Sequence, residues 1–252
     1  MLASNPAPAP FPQAPKPLGL PELLDKTFQA YRRNFRFFFA IAVILILPDM
    51  IVELIWGSGA ILGVTRLLFA PYALALMYIS ATQVVIWNEA NLRVVLRAAL
   101  SRYVPFAALV IAYFLCALGL LVLPLGIWLY VRWGLAGAAL AAEPIGPNAA
   151  IHRSEALVKG AWWRTFLTMA TVLILVGIVA FILGSSVGVA MSFVPGLPED
   201  VSLMLVGFAF LFVSSLTVPL VPIAFSLLYV DQRVRKEGFD LDYLAHSAAQ
   251  AA

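Results

Sequence analysis

LPLGIWLYVRWGLAGAALAAEPIGPNAAIHRSEALVKGAWWR, residues 123–164, decides how the chain is read. Residues 123–142 are apolar except for Arg132, and Glu143 closes the run. Pro147 opens a short helix with Ile151, Ser154, Leu157, Val158, Ala161 and Trp162 on one side and Arg153, Glu155 and Lys159 on the other. Trp162-Trp163-Arg164 then stands at the mouth of the next apolar run. About 20 residues at ~1.5 Å rise cover the ~30 Å hydrocarbon core of a bilayer. A basic amphipathic helix lies in the interface instead. The stretch therefore reads as a membrane span, an interfacial helix over 147–164, and the start of another span.

Composition supports lipid as the main solvent. Of the 252 residues, 63% are hydrophobic and 12% charged, whereas a soluble domain carries about 25% charged residues. So few charges cannot cover a water-facing surface. The single cysteine, Cys116, lies in an apolar run, which leaves no disulfide framework and no cysteine metal site.

The same unit recurs upstream. Residues 20–36 place Leu20, Leu23, Leu24, Phe28, Tyr31 and Phe35 on one helical face, with Arg32, Arg33 and Arg36 near the end. Residues 88–103 place Leu92, Val95, Leu96, Ala99, Leu100 and Tyr103 opposite Glu89, Arg93 and Arg97. Apolar runs at 37–56, 64–87, 104–122, 124–142, 165–189 and 201–230 are the expected spans. Turns are expected at 57–60 and 123–126 and a loop at 194–200; Pro48-Asp49 should interrupt the first span, and Pro219 with Pro222 should bend the last. The expected fold is all-α and integral to the membrane: six transmembrane helices as three hairpins, each preceded by an interfacial amphipathic helix. Residues 1–19 form a Pro/Ala-rich tail without the apolar core of a signal peptide, 20–237 the membrane domain, and 238–252 a polar tail.

Charge sets the orientation. With six spans, 14 of the 16 Lys and Arg residues fall on the side that carries both termini, and the opposite connections carry none. The positive-inside rule then places both termini in the cytoplasm.

Four ionisable residues fall inside the expected spans, each costing ~2.5 kcal/mol or more at the bilayer centre if unpaired. Depth counting pairs Asp49 with Arg132 and Glu53 with Arg66. Basic residues near the cytoplasmic face (Arg32, Arg33, Arg97, Arg153, Lys159, Arg164, Arg233 and Arg235) form a collar, with Glu143, Glu155 and Asp231 as counter-ions. Gly134 and Ala138 on span four, and Gly184 and Gly188 on span five, allow close helix approach. His152 and His246, the only histidines, are too far apart in sequence to suggest a metal site, and no catalytic or phosphate-cradling motif is present.

Three stretches, LGLPELLDKTFQAYRRNFRFF (18–38), VRWGLAGAALAAEPIGPNAAIHRSEALVKGAWWR (131–164) and LLYVDQRVRKEGFDLDYL (227–244), carry a family resemblance. The chain resembles the bacterial family named for the membrane domain of glycerophosphoryl diester phosphodiesterases. The resemblance implies a multi-span protein of the bacterial inner membrane. It does not imply the phosphodiesterase activity, because the histidines and acids of that soluble catalytic domain have no counterpart here.

The functional expectation is a non-enzymatic scaffold or accessory subunit, without cofactor, whose basic face engages anionic lipid or a partner protein. Nucleic acid is disfavoured because the cationic helices adjoin apolar spans. The alternative is a transporter or lipid-handling protein with a polar site at Asp49 and Arg132, and a membrane-embedded phosphodiesterase comes third.

Overall fold

Asn34, between two helical runs of unlike composition, ends the first with its backbone N–H on the Ala30 and Tyr31 carbonyls and leads at once into the second. The computed structural model describes residues 16–56, 60–119, 123–193 and 199–238. Residues 1–15 and 239–252 (His246 included), 57–59 in the expected turn, 120–122 at the end of the expected third span, and 194–198 in the expected loop lie outside the described residues. Among the described residues every regular element is helical: α1 (Leu20–Arg33), α2 (Phe35–Trp56), α3 (Ala60–Thr82) with a π-helical turn (Gln83–Trp87), α4 (Leu92–Ser101), α5 (Tyr103–Gly119), α6 (Leu123–Trp133), α7 (Ala136–Ala142), α8 (Pro147–Val158), α9 (Trp162–Ser192), α10 (Glu199–Thr217) and α11 (Leu220–Glu237).

Four helical stretches are long and apolar enough to cross a membrane: Phe35–Ile55, Gly63–Trp87, Pro124–Ala142 and Trp162–Ala190. A fifth is the pair α4–α5, bent by 72°, if it counts as one span. At 31 residues α9 is ~46 Å long, beyond the ~30 Å hydrocarbon core. Its first turns accordingly carry buried positions, Thr165, Thr168, Met169 and Val172. Farther along, Ile174, Ile178, Phe181 and Ile182 are exposed, as are Leu47, Ile51 and Leu54 on α2 and Phe114 and Leu115 on α5. Such a surface is unfavourable in water and ordinary in lipid.

Several expected boundaries move. Pro48 does not interrupt α2, which runs through it; proline is tolerated in apolar helices where neighbouring groups re-satisfy the backbone. Leu123–Gly126 belongs to α6 rather than to a turn. The expected interfacial helix over 147–164 ends at Val158, and Gly160 turns the chain at φ +80°, a left-handed conformation that glycine adopts without strain. The expected last span breaks at Val218-Pro219, giving α10 and α11.

The buried centre is α11. Ile223, Ala224, Phe225, Leu228 and Tyr229 are all at most 2% exposed. Around it lie α1, the inner half of α3, α7, α8 and the start of α9. α7 is built from Ala and Gly, so neighbours approach its backbone: an added Cβ on Gly137 would lie 2.5 Å from the Tyr78 ring. α8 does not lie free on a surface. It folds back antiparallel on α7, with Ala150, Ser154, Leu157 and Val158 buried.

Of the small residues expected at helix contacts, Gly134 is filled by Met169 and Gly184 by Phe210, and Ala138 is fully buried. Gly188, expected at such a contact, is not: among the described residues nothing lies within 4 Å of a Cβ placed there, because α10 makes its close approach at Gly184, one turn earlier. Gly137→Ala should therefore destabilise the protein by about 1–3 kcal/mol through overpacking against Tyr78. Gly188→Ala should be neutral within about 0.5 kcal/mol. Thermal unfolding in detergent, wild type beside both variants, measures the contrast.

Candidate functional site

The charges at the α8, α9 and α11 ends sort into three groups. The first centres on Asp231, 1% exposed on α11. Its carboxylate accepts from the Leu18 backbone N–H at 2.6 Å, Arg164 Nη2 at 2.7 Å and Arg235 Nε at 3.0 Å. Arg164 and Arg235 also donate to the Leu18 carbonyl at 2.9 and 3.0 Å. The segment before α1 is thereby strapped to α9 and α11, with both backbone groups of Leu18 satisfied. A buried carboxylate keeps its charge only with such partners.

The second group links the α7–α8 connection to the end of α11. Glu143 accepts from Arg153 Nε at 3.2 Å and from the Tyr229 hydroxyl, and lies 3.7 Å from Arg233 Nη1. Arg153 also makes a two-pronged pair with Glu237, its Nη2 donating at 2.8 Å, and Arg233 Nε donates to Glu237 at 3.1 Å. Burial pushes the Arg153 pKa down, but Glu237, Glu143 and Tyr229 outweigh it and hold the guanidinium more firmly charged than usual.

The third group sits where α8 returns past the break between α6 and α7. Ser154 is the joint: its hydroxyl donates to the Arg132 carbonyl at 2.8 Å and accepts from Leu135 N–H at 3.1 Å, satisfying two backbone groups that the helix break frees. One residue on, Glu155 accepts from Arg132 Nε at 3.0 Å and Trp133 Nε1 at 2.9 Å, and stands 3.5 Å from His152 Nδ1. The Arg132 guanidinium lies 4.6 Å from the centre of the Trp128 ring. Burial pushes the Glu155 carboxyl up, yet bonds from Trp133 and Arg132 and the Arg132 charge prevail and hold it below its usual range.

The expected ion pairs need correction. Asp49 is not with Arg132, nor Glu53 with Arg66. Arg66 Nε donates to Asp49 at 3.0 Å, while Arg132 takes Glu155. The reason is register: α2 and α3 pack along one another, so the position level with Asp49 lies near Arg66. Depth along separate spans ignored that constraint. The polar site expected from Asp49 and Arg132 together does not form.

The expected collar also divides. Arg153, Arg164, Arg233 and Arg235 are engaged with Glu143, Asp231 and Glu237. Glu155, expected among their counter-ions, serves Arg132 instead. Arg32, Arg33, Arg36, Arg93 and Arg97 are exposed and make no ion pair among the described residues. Glu237 was missed, although its spacing four residues after Arg233 signals a helical pair. Nothing in the sequence marks the Leu18 backbone as a ligand of Asp231. Arg102, also missed, donates to the Leu140 carbonyl at 2.5 Å and so closes α7. No three His, Cys, Asp or Glu side chains among the described residues gather as metal ligands would.

Comparison of the chain with protein-family models, with curated proteins and with solved structures finds no match. What is established is the class: an all-helical chain with four or five helices able to cross a membrane, tied at one region by buried ion pairs.

Asp231→Asn should cost about 2 kcal/mol, between the value for an exposed pair and that for a fully buried one, because Arg164 and Arg235 are about a third exposed. Limited proteolysis should then cut before α1 faster than in wild type. Glu155, with its folded pKa depressed, contributes stability above the ordinary carboxylate range and loses it as pH falls through the folded value. Wild type and Glu155→Gln, compared by thermal unfolding from pH 7 downward, should converge below that range, with the wild type's advantage confined to higher pH.

Proposed function

We propose that this chain is an integral membrane protein of six spans, both termini cytoplasmic. It acts without catalysis as a scaffold or accessory subunit whose basic edge engages anionic lipid. The spans would be α2, α3, α5, α6 with α7, α9 and α10. The distribution of 14 of 16 Lys and Arg supports the orientation.

The observation that carries the lipid reading is the junction of α1 and α2. Arg32, Arg33 and Arg36 line an open concavity of about 530 Å³ with Asn34, Phe35 and Phe37. Phe28, Phe35 and Phe39 beside it are 37–44% exposed. Unpaired guanidinium groups next to exposed phenyl rings suit the boundary between headgroups and acyl chains, where each basic residue contributes ~1 kcal/mol toward anionic lipid. On α4, Arg93 and Arg97 alternate with exposed Val94 and Leu100 in the same manner.

Proteoliposomes carrying spin-labelled lipids measure which lipids are held at the protein boundary. Phosphatidylglycerol should be preferred over phosphatidylcholine at low salt, and the preference should shrink as salt rises. The triple change Arg32→Gln, Arg33→Gln, Arg36→Gln should reduce it several-fold without lowering the unfolding temperature. Equal restriction of both lipids at low salt would contradict the proposal.

A further inference from the structure

Besides the exposed arginine edge, the chain carries a more enclosed cationic cleft, of about 550 Å³, where α6, α8 and α9 meet. Trp128, Arg132, His152, Glu155, Lys159 and Trp162 line it. A second cavity of about 380 Å³ lies between α5, α6 and α9; Cys116, Ala117, Ile127, Phe166, Ala170 and Leu173 are among its almost wholly apolar walls. The two are neighbours along the same pair of helices. Trp162 in the first cavity stacks flat on Phe166 in the second, with ring centres 5.3 Å apart and planes 7° apart. Trp128 and Ile127, adjacent on α6, likewise line one cavity each.

The charge balance of the cleft is positive. Its single carboxylate, Glu155, is occupied by Arg132, Trp133 and His152. Lys159 makes no ion pair among the described residues. Lys236 Nζ adds a further positive charge and donates to the carbonyls of Ala156 (at 2.9 Å) and Lys159. Those bonds cap the end of α8, whose negative pole would otherwise repel an anion. The Trp162 indole N–H at the cleft wall is buried without a hydrogen-bond partner. It is a spare donor that a phosphate or ester oxygen entering beside it would satisfy. A cationic cleft with an indole wall, beside an almost wholly apolar cavity on the same helices, has the polarity of one kind of molecule.

We propose that this paired cavity binds one anionic glycerophospholipid. Its phosphate would lie against Lys159 and Arg132, and one acyl chain would lie in the groove between α5, α6 and α9. The site rests on the membrane placement proposed above but is separate from the arginine edge. The edge selects boundary lipid by charge alone, whereas the cleft holds a single molecule by its headgroup and chain together.

Native mass spectrometry of the full chain in mild detergent, titrated with phosphatidylglycerol or phosphatidylcholine, tests this. One phosphatidylglycerol per chain should be retained, with phosphatidylcholine at least tenfold weaker. Lys159→Gln should weaken retention about fivefold and Lys159→Arg should restore it. Ala117→Phe, which fills the groove and leaves the headgroup contacts intact, should abolish it. The triple arginine variant of the edge should retain the lipid as wild type does. Equal binding of the two lipids, or retention unchanged in both Lys159→Gln and Ala117→Phe, overturns the site. So does displacement of the lipid by millimolar inorganic phosphate, since the cleft would then be reading free phosphate. A chain that resists carbonate extraction and keeps its salt-sensitive boundary preference, yet retains no lipid, fails this inference alone. A chain that carbonate strips from the membrane fails the proposed function as well.

Discussion

A single desolvated carboxylate, Asp231, holds together parts of the chain more than 200 residues apart. Removing a charge from water costs several kcal/mol unless charged donors replace the lost hydration. Here the donors are Arg164 at the start of α9, Arg235 one turn along α11, and the backbone N–H of Leu18. Because the two guanidinium groups also bond the Leu18 carbonyl, the segment leading into α1 cannot leave without stranding charges in the interior. The position of α1 along α11 follows from that node at one end. At the other, the Tyr31 hydroxyl donates to the Leu216 carbonyl at 2.7 Å.

The fold-back of α8 on α7 is a second consequence of satisfying polar groups in an apolar setting. A helix break within an apolar stretch frees backbone donors and acceptors that have no water to turn to. Gly134-Leu135 is such a break, and Ser154 closes it from the neighbouring helix. Placing Ser154 there brings Glu155 to Arg132 and leaves Lys159 at the rim. The cationic cleft is thus a by-product of how one backbone interruption is repaired. The same economy appears at α7, whose alanines and single glycine let Tyr78 and α11 close on it.

The arginines serve two distinct ends. Those on α8, α9 and α11 meet carboxylates and act as internal fasteners, and their neutralised charge has little left for an outside partner. Those on α1, α2 and α4 stand beside exposed apolar side chains and meet no carboxylate among the described residues. Of these two sets, the latter has the electrostatic freedom that recognition of an anionic surface requires.

Composition and periodicity alone located helices long and apolar enough to cross a membrane, and the amphipathic α1 and α4 beside them. Those properties depend on residue type along a local run, which is why α1, α2, α4, α5 and α9 were legible. Pairing was not. Asp49 met Arg66, and Arg132 met Glu155, because a partner is set by helix register and by where α8 folds back, neither of which spans counted separately can supply. Arg153, Arg164, Arg233 and Arg235 looked in sequence like Arg32 and Arg33. Only the tertiary structure separated fastener from free charge, because burial and the arrival of a carboxylate from a distant segment are properties of the packed chain and not of any stretch within it.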